Sequence, residues 1–446
     1  MKKVVSLLCL ACFIVLISNS SLMAGVVDNR SNLSGEYIRS LNRNAVTDSL
    51  DAIAYNPAGV MKMEDGSYAD FSVHYVGKDY TNIVNGVALE QDEPSYIPAL
   101  FALYKRDKWA GFFGFTIPAG GGTVEYNSGN ATTRVAGTAL TNQLNLNYAP
   151  VFQAIFGSPG IAYDSVTGER VEASSVYYGY TVGGAYEVDD NISFSMGIRY
   201  IHAVKEATAS LSVVPSAIGA ALPSPYTAVA RNVALDYEET ANGLGVIFGM
   251  NIDYEPFNIG VKYESETDLD FEYEVNADSI TGLPAGLGYT MGIVNGREHA
   301  RNLPAVLAVG VGYKMTPMFR MDVNITSYFQ EDADWGGTEN YVTDGWEAGI
   351  AFEYMPNPDL KLSIGYLYTE TGIDVSRVLN EAPELDARTI GAGLSYNVNE
   401  NMKMDFGIGV VDYKSGSYVD YSAGTPLSIG FEKDVIFISA GLQYRF

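Results

Sequence analysis

In the stretch "MGIRYIHAVKEATA", Arg199, His202, Lys205 and Glu206 stand close together. Side chains alternate along a strand, so Arg199 and Lys205, six positions apart, share one face and His202 falls on the other. Two cations on one face can recognise an anion: a carboxylate entering a low-dielectric pocket needs a cation or strong donors. Lys205, nearer the far end of the strand, is the better candidate, with Arg199 second. Catalysis has less to work with. The histidines are His74, His202 and His299, and the chain has neither a Gly-x-Ser-x-Gly elbow nor a His-Glu-x-x-His pair. No catalytic residue, cofactor or metal ligand is expected; an enzyme with serine and histidine scattered outside any motif is the rival.

The apolar run Val4 to Ile17 after Met1-Lys2-Lys3 reads as a secretory signal peptide over residues 1–24, cleaved after Ala24. Cys12 in "CLAC" offers a lipoprotein alternative. Cys9 and Cys12 both lie in this segment, so the mature chain has no disulfide framework and no thiolate metal site. A net charge of −26 disfavours nucleic acid as a partner. Aromatic residues at 12% argue against disorder. No apolar run reaches the ~18–20 residues of a spanning helix.

Period-two alternation runs through most of the chain. In "VIFISAGLQYRF", Ile436, Ile438, Ala440, Leu442, Tyr444 and Phe446 oppose Phe437, Ser439, Gly441, Gln443 and Arg445. "FRMDVNI", "GWEAGIAFEY" and "LKLSIGYLY" alternate likewise. A soluble sandwich would show the same period. However, the polar faces are rich in glycine, which gives room in a lumen, and the apolar faces often end in aromatic residues, as membrane girdles do. Short turns ("YKRDKW", "EVDDN", "YEPF", "KMTPMF", "YMPNPDLK", "YNVNENM") alternate with long connections near 81–95, 126–174, 214–240, 276–302, 333–343, 373–386 and 416–433. Fourteen strands lie between them. The fold expected is all-β: a fourteen-stranded antiparallel transmembrane β-barrel over residues 66–446, in the outer membrane of a Gram-negative bacterium.

Residues 25–65 remain. The stretch "DAIAYNPAGV" is small, apolar and broken by Pro57 and Gly59. A barrel this wide must be filled or left as a channel, so this segment is expected to fold into the lumen as an N-terminal hatch; a periplasmic arm is the alternative. In "FGFTIPAGGGTVEY", Pro118 and Gly120-Gly121-Gly122 interrupt a wall strand where ladder bonding should lapse. The other reading ends the strand at Pro118. The apolar stretches 212–230 and 280–296 would lie outside the membrane, either binding something or packing on each other.

The segment "SGEYIRSLNRNAVTDSLDAIAYNPAGV", with Asn56-Pro57-Ala58, and then "IPALFALYKRDKWAGFFGFTIPAGGG", "GGAYEVDDNISFSMGIRYIHA" and "LPAVLAVGVGYKMTPMFRMDVNI" resemble the FadL-type outer-membrane transporters of long-chain fatty acids and aromatic hydrocarbons. The resemblance covers nearly the whole mature chain. It implies a fourteen-stranded barrel closed by a hatch, and passive passage of a hydrophobic small molecule. Cargo would move from an outer groove to an inner pocket and then sideways through the wall, with a shift of the hatch. The partners implied are the hydrophobic ligand, outer-membrane lipid and the barrel assembly machinery, with a monomer expected. Glu206 follows Lys205, and Glu331, Asp332 and Asp334 stand where a second basic residue would be expected, so a neutral hydrocarbon is as good a candidate as a fatty acid. A general porin for polar solutes, or an adhesin-like barrel, is the alternative.

Overall fold

The computed structural model describes residues 30–446, so the expected signal peptide and residues 25–29 lie outside the described residues. Fourteen antiparallel strands close a barrel: β1 (Gly66–Val84), β2 (Ser95–Arg106), β3 (Trp109–Tyr126), β4 (Tyr163–Asp189), β5 (Ile192–Pro215), β6 (Arg231–Tyr254), β7 (Phe257–Glu264), β8 (Ala305–Thr316), β9 (Phe319–Phe329), β10 (Gly345–Asn357), β11 (Leu360–Glu370), β12 (Ala387–Asn399), β13 (Met402–Tyr413) and β14 (Leu427–Arg445). Strand β14 closes on β1 in an unbroken register from Tyr68↔Arg445 to Val84↔Ile429. Short strands Val87–Gln91, Asp270–Ile280, Glu298–Ala300 and Gly416–Asp420 extend the outer rim.

The period-two faces separate as their residue types require. Ile436, Ile438, Leu442 and Tyr444 are exposed on the outside, while Phe437 and Ser439 are buried within. The same holds for Phe319, Val323 and Ile325 against Asp322 and Asn324, and for Leu362, Ile364 and Tyr366 against Ser363 and Leu367. A lipid-facing surface must be apolar, and a sheet satisfies its backbone groups at membrane depth only by closing into a barrel.

All six turns expected to be short are tight. The long connections differ from expectation on one side of the barrel. Strands β4, β5 and β6 run 27, 24 and 24 residues, against the ~9–11 that a tilted strand needs to span. Their outer halves stand in water and need not alternate apolar with polar, so the expected connections 126–174 and 214–240 were drawn too long. The first of them also contains a helix, α1 (Ala131–Phe156), closed by an Asn130/Thr133 capping box and by Gly157 in the left-handed region.

Residues 30–62 fill the lumen. A helical turn, Gly35–Ser40, is buried along its whole length and is capped by the Ser34 side chain, which accepts from the Tyr37 N–H. A second turn, Ala52–Tyr55, stops at Asn56, and Pro57 opens a 3-10 turn, Pro57–Lys62. The kink expected from "AYNPAG" is therefore real. The glycines of the lumen face make room for this segment. A Cβ on Gly365 would lie 1.7 Å from the Ser40 carbonyl oxygen, and one on Gly391 would lie 2.2 Å from that of Ile38. The surroundings carry charge: Lys361, Lys403 and Arg320, close to the short turns, point inward onto this segment.

Candidate functional site

Residues 30–62, the expected hatch, are tied to the wall all round. Arg39, fully buried, meets Glu36 at 2.6 Å and Glu353 of β10 at 2.5 Å. Glu36 also pairs with Lys403 of β13, and Asp48 with Lys361 of β11. Burial works against the Glu36 carboxylate, but Lys403, Arg39 and Arg43 outweigh it and hold its pKa well below the usual carboxylate range. On the opposite side, Asn56 Nδ2 donates to Asn251 Oδ1 of β6 at 2.8 Å and to the Val46 carbonyl at 2.9 Å. Pro57 lies where a Cβ on Gly249 would come within 3.0 Å of its ring, and the Ala58 carbonyl accepts from Ser193 Oγ at 2.8 Å. The stretch that opens the described chain is fastened to both the wall and the rest of its own segment: Ser31 Oγ donates to Glu347 Oε2 of β10 at 2.5 Å and lies 2.9 Å from Tyr328 Oη of β9, and Arg30 donates to the Pro304 carbonyl at 3.3 Å. Tyr55 Oη accepts from the Leu33 N–H at 2.9 Å and donates to the Ser31 carbonyl at 2.8 Å.

Above the hatch lies a cavity of about 200 Å³. Its walls are largely apolar (Val76, Ile97, Val124, Leu235, Ile293 and Phe437 among them), and Arg30 and Asn32 of the hatch form part of its floor. Leu287 and Met291 of the outer connection also reach it. The two apolar outer stretches pack on each other through α1: Leu140, Leu144 and Phe152 share one buried cluster with Leu222, Ala228 and Leu287. Beyond it Leu146, Phe156, Ile161, Ile218 and Tyr226 remain exposed on the outer loops.

Pro118 and Gly120-Gly121-Gly122 line this cavity, at a break in the wall. The β2–β3 ladder runs from Arg106↔Trp109 only as far as Leu100↔Phe115. Past Phe115, β3 keeps β4 as its ladder partner but with two irregularities, Thr116/Ala119 and Ala119/Gly122, each inserting one extra residue on β3. Strand β3 therefore continues to Tyr126 instead of ending at Pro118. Two of the glycines are required by their backbone: Gly120 has φ +86° and Gly122 has φ +76°. A Cβ on Gly120 would lie 2.3 Å from the Ser175 carbonyl, and one on Gly122 would lie 2.2 Å from Ser95 Oγ. Gly121 has open space around it. Ile117, on the lipid-facing parity of β3, lines the cavity as well.

The two cations singled out from the sequence do not act together. Lys205 lines the cavity, with Nζ 3.4 Å from Glu239 Oε2 and 3.8 Å from the centre of the Phe271 ring. Arg199 lies on the same face but deeper, bonded through both terminal nitrogens to Glu264 at 2.8 and 3.0 Å. Glu264 also takes Lys262, whose Nζ donates to the Ala54 carbonyl at 2.6 Å. Arg199 therefore belongs to the lumen charges beside the hatch. His202 faces outward, as its parity required, bonding Asn242. Sequence reasoning missed Lys78 and Ser95 at the wall break, and Asn251 beside the hatch. Their lumen-facing parity was readable, but their distant partners were not.

A sequence profile described as "Outer membrane protein transport protein (OMPP1/FadL/TodX)" matches residues 164–446. The chain is 23% identical over 407 residues to the long-chain fatty acid transport protein of Escherichia coli O6:H1, covering 80% of this chain and 87% of that one. Among solved structures, a Pseudomonas aeruginosa FadL homologue superposes with a TM-score of 0.65 at 14% identity, covering 93% of this chain and 98% of that one. The P. putida toluene transporter TodX gives 0.61 at 14%, covering 96% and 99%. These two likenesses support the shared barrel. The profile spans more than half of the sequence, and the chain belongs to the OMPP1/FadL/TodX family of outer-membrane transport proteins.

Proposed function

We propose that this protein carries hydrophobic small molecules, long-chain fatty acids or hydrocarbons, passively across the outer membrane. Cargo collects on the apolar outer loops, enters the cavity and leaves sideways through the break between β2 and β3. The observation that carries this reading is the meeting of an apolar cavity with a lapsed ladder at Pro118 and Gly120–Gly122. Backbone that breaks its ladder at membrane depth is tolerated where it lines a cavity. Cargo leaving there stays among lipid and never has to enter water. In this reading residues 1–24 are a signal peptide, 25–65 the hatch and 66–446 the barrel. Asn56, Pro57 and Ala58 seat the hatch. The chain works as a monomer among outer-membrane lipids, after insertion by the barrel assembly machinery, and performs no catalysis.

Glu239 beside Lys205 offsets the charge of that cation in the cavity, which suits neutral cargo as well as acids. The test is uptake of labelled oleate and of a labelled alkylbenzene by a Gram-negative host lacking its own transporter of this type, with wild type and Lys205→Ala compared. Oleate uptake blunted by the substitution would make Lys205 the anchor. Alkylbenzene uptake alone, indifferent to the substitution, would define a hydrocarbon channel. Uptake of neither overturns the transport route. Free conductance of small ions would point to a porin instead.

A further inference from the structure

Two side chains bridge the wall break. Lys78, on the lumen face of β1, is buried and lines the cavity. Its Nζ donates to Ser95 Oγ at 2.7 Å, to the Gly121 carbonyl at 2.8 Å and to the Thr123 carbonyl at 2.7 Å. Ser95 Oγ in turn donates to the Gly121 carbonyl at 2.9 Å. An ammonium has three hydrogens, so all three are used, and two of them hold β3 where its own ladder to β2 has lapsed.

What Lys78 lacks is an anion. Among the described residues, no carboxylate lies within ion-pair distance of its Nζ, whereas Lys205 in the same cavity has Glu239. A second cation stands one diagonal step away. The register pairs Lys78 with Val435 and Tyr80 with Lys433, so Lys78 and Lys433 sit on adjacent strands, and both line the cavity. Lys433 donates to the Pro383 carbonyl at 3.1 Å and lies over the rings of Tyr80 and Tyr413. Like charges at such positions repel, and Lys78, a buried cation whose three bonds all go to neutral oxygens, is poorly compensated. A bound anion relieves both costs.

We propose that Lys78 is both the clasp across the wall break and the binding group for the anionic head of the cargo, a long-chain carboxylate. The two carboxylate oxygens take the places of the Gly121 and Thr123 carbonyl oxygens on the ammonium, while Ser95 stays bound. Strand β3 is thereby released from β1, and the break widens beside the alkyl chain. The proposal rests on the reading that cargo leaves by this break, and it names the head group that reading left open.

The test uses purified full barrel in detergent and displacement of a fluorescent fatty acid by oleate or by methyl oleate. Wild type, Lys78→Met, Lys78→Arg and Lys205→Met are compared, with amide hydrogen exchange followed over residues 116–124. Charge-assisted bonds should give wild type about a tenfold or greater preference for oleate. Lys78→Met should lose that preference, while Lys78→Arg and Lys205→Met keep it. Exchange over 116–124 should be faster in Lys78→Met, and faster in wild type once oleate is added. Should Lys78→Met not fold, Ser95→Ala serves, with faster exchange and an intact preference. A preference that survives Lys78→Met, no preference in wild type, or exchange indifferent to these changes overturns the proposal. Binding with this preference in a protein that imports no oleate in cells would instead overturn the transport route and leave Lys78 as the head-group site.

Discussion

Asn56 in the hatch and Asn251 in the wall are joined side chain to side chain at 2.8 Å, across 195 positions of sequence. The bond belongs to a chain: Asn251 Nδ2 donates to Asn258 Oδ1 at 3.0 Å, and Asn258 Nδ2 donates to the Ala45 carbonyl at 2.9 Å. It begins and ends on the hatch. Asn251→Ala would strip partners from two buried amides at once, at about 1–3 kcal/mol each. The expected outcome is a hatch that leaks: ion conductance in planar bilayers rises from near zero to frequent openings, while the barrel still folds by gel mobility.

The three glycines of the wall break should separate cleanly. Gly120→Ala and Gly122→Ala force a side chain onto a positive φ and into a neighbouring atom, while Gly121→Ala meets nothing. A left-handed alanine costs about 1 kcal/mol or more, before any clash. Uptake of cargo should change several-fold in the first two and stay at the wild-type level in the third. Equal effects at all three would mean that bulk, and not backbone shape, matters at the break.

Acid alone should not release the hatch. Burial raises the pKa of Glu36, but Lys403, Arg39 and Arg43 lower it further, for a net shift well below the ordinary value. A carboxylate lowered by folding contributes stability above its unfolded pKa, and that stability fades only as pH falls toward the lowered value. Conductance should therefore stay low from neutral pH down through pH 5. Glu36→Gln, which leaves three cations short of a partner, should open the channel at any pH.

The lumen glycines should tolerate no added bulk. Gly365→Val would drive methyl groups into the Ser40 backbone, where even a Cβ has no room. The side chain cannot be accommodated without moving Gly35–Ser40. A hatch digested by added protease in Gly365→Val, and protected in wild type, is the expected result.

Much of this fold was readable because a membrane imposes a simple rule on a strand. Ile436, Ile438 and Leu442 had to face lipid, so the period was unbroken and the strand count followed. The outer halves of β4–β6 obey no such rule, and there the expected strand limits failed. Helix α1 did leave a signal, the Asn130-x-x-Thr133 cap and Gly157, inside what was read as a loop. At the site, local chemistry marked Pro118 and the glycines. Lys205 was placed correctly on the lumen face, but parity could not say that Glu239 stands beside it. Lys78 was passed over for the same reason: what sets it apart is a missing partner, and only the fold reveals which partners a residue lacks.

Tyr55→Phe would remove one hydroxyl and with it the bonds from Tyr55 to Leu33 and Ser31, leaving Ser31 bonded to Glu347 and Tyr328 of the wall. We expect faster amide exchange confined to residues 30–34, and faster uptake with little new ion leak.

That expectation follows from how unequally the hatch is held. Residues 35–62 are fixed to the wall by buried ions and amides, whereas residues 30–34, of which Arg30 and Asn32 border the cavity, are held chiefly by hydrogen bonds to Tyr55, Tyr328, Glu347 and the Pro304 carbonyl. A channel that moves only such a short tongue displaces a few side chains per passage and never vacates its bore. The outer membrane could then admit greasy nutrients while keeping its resistance to bulky water-soluble poisons.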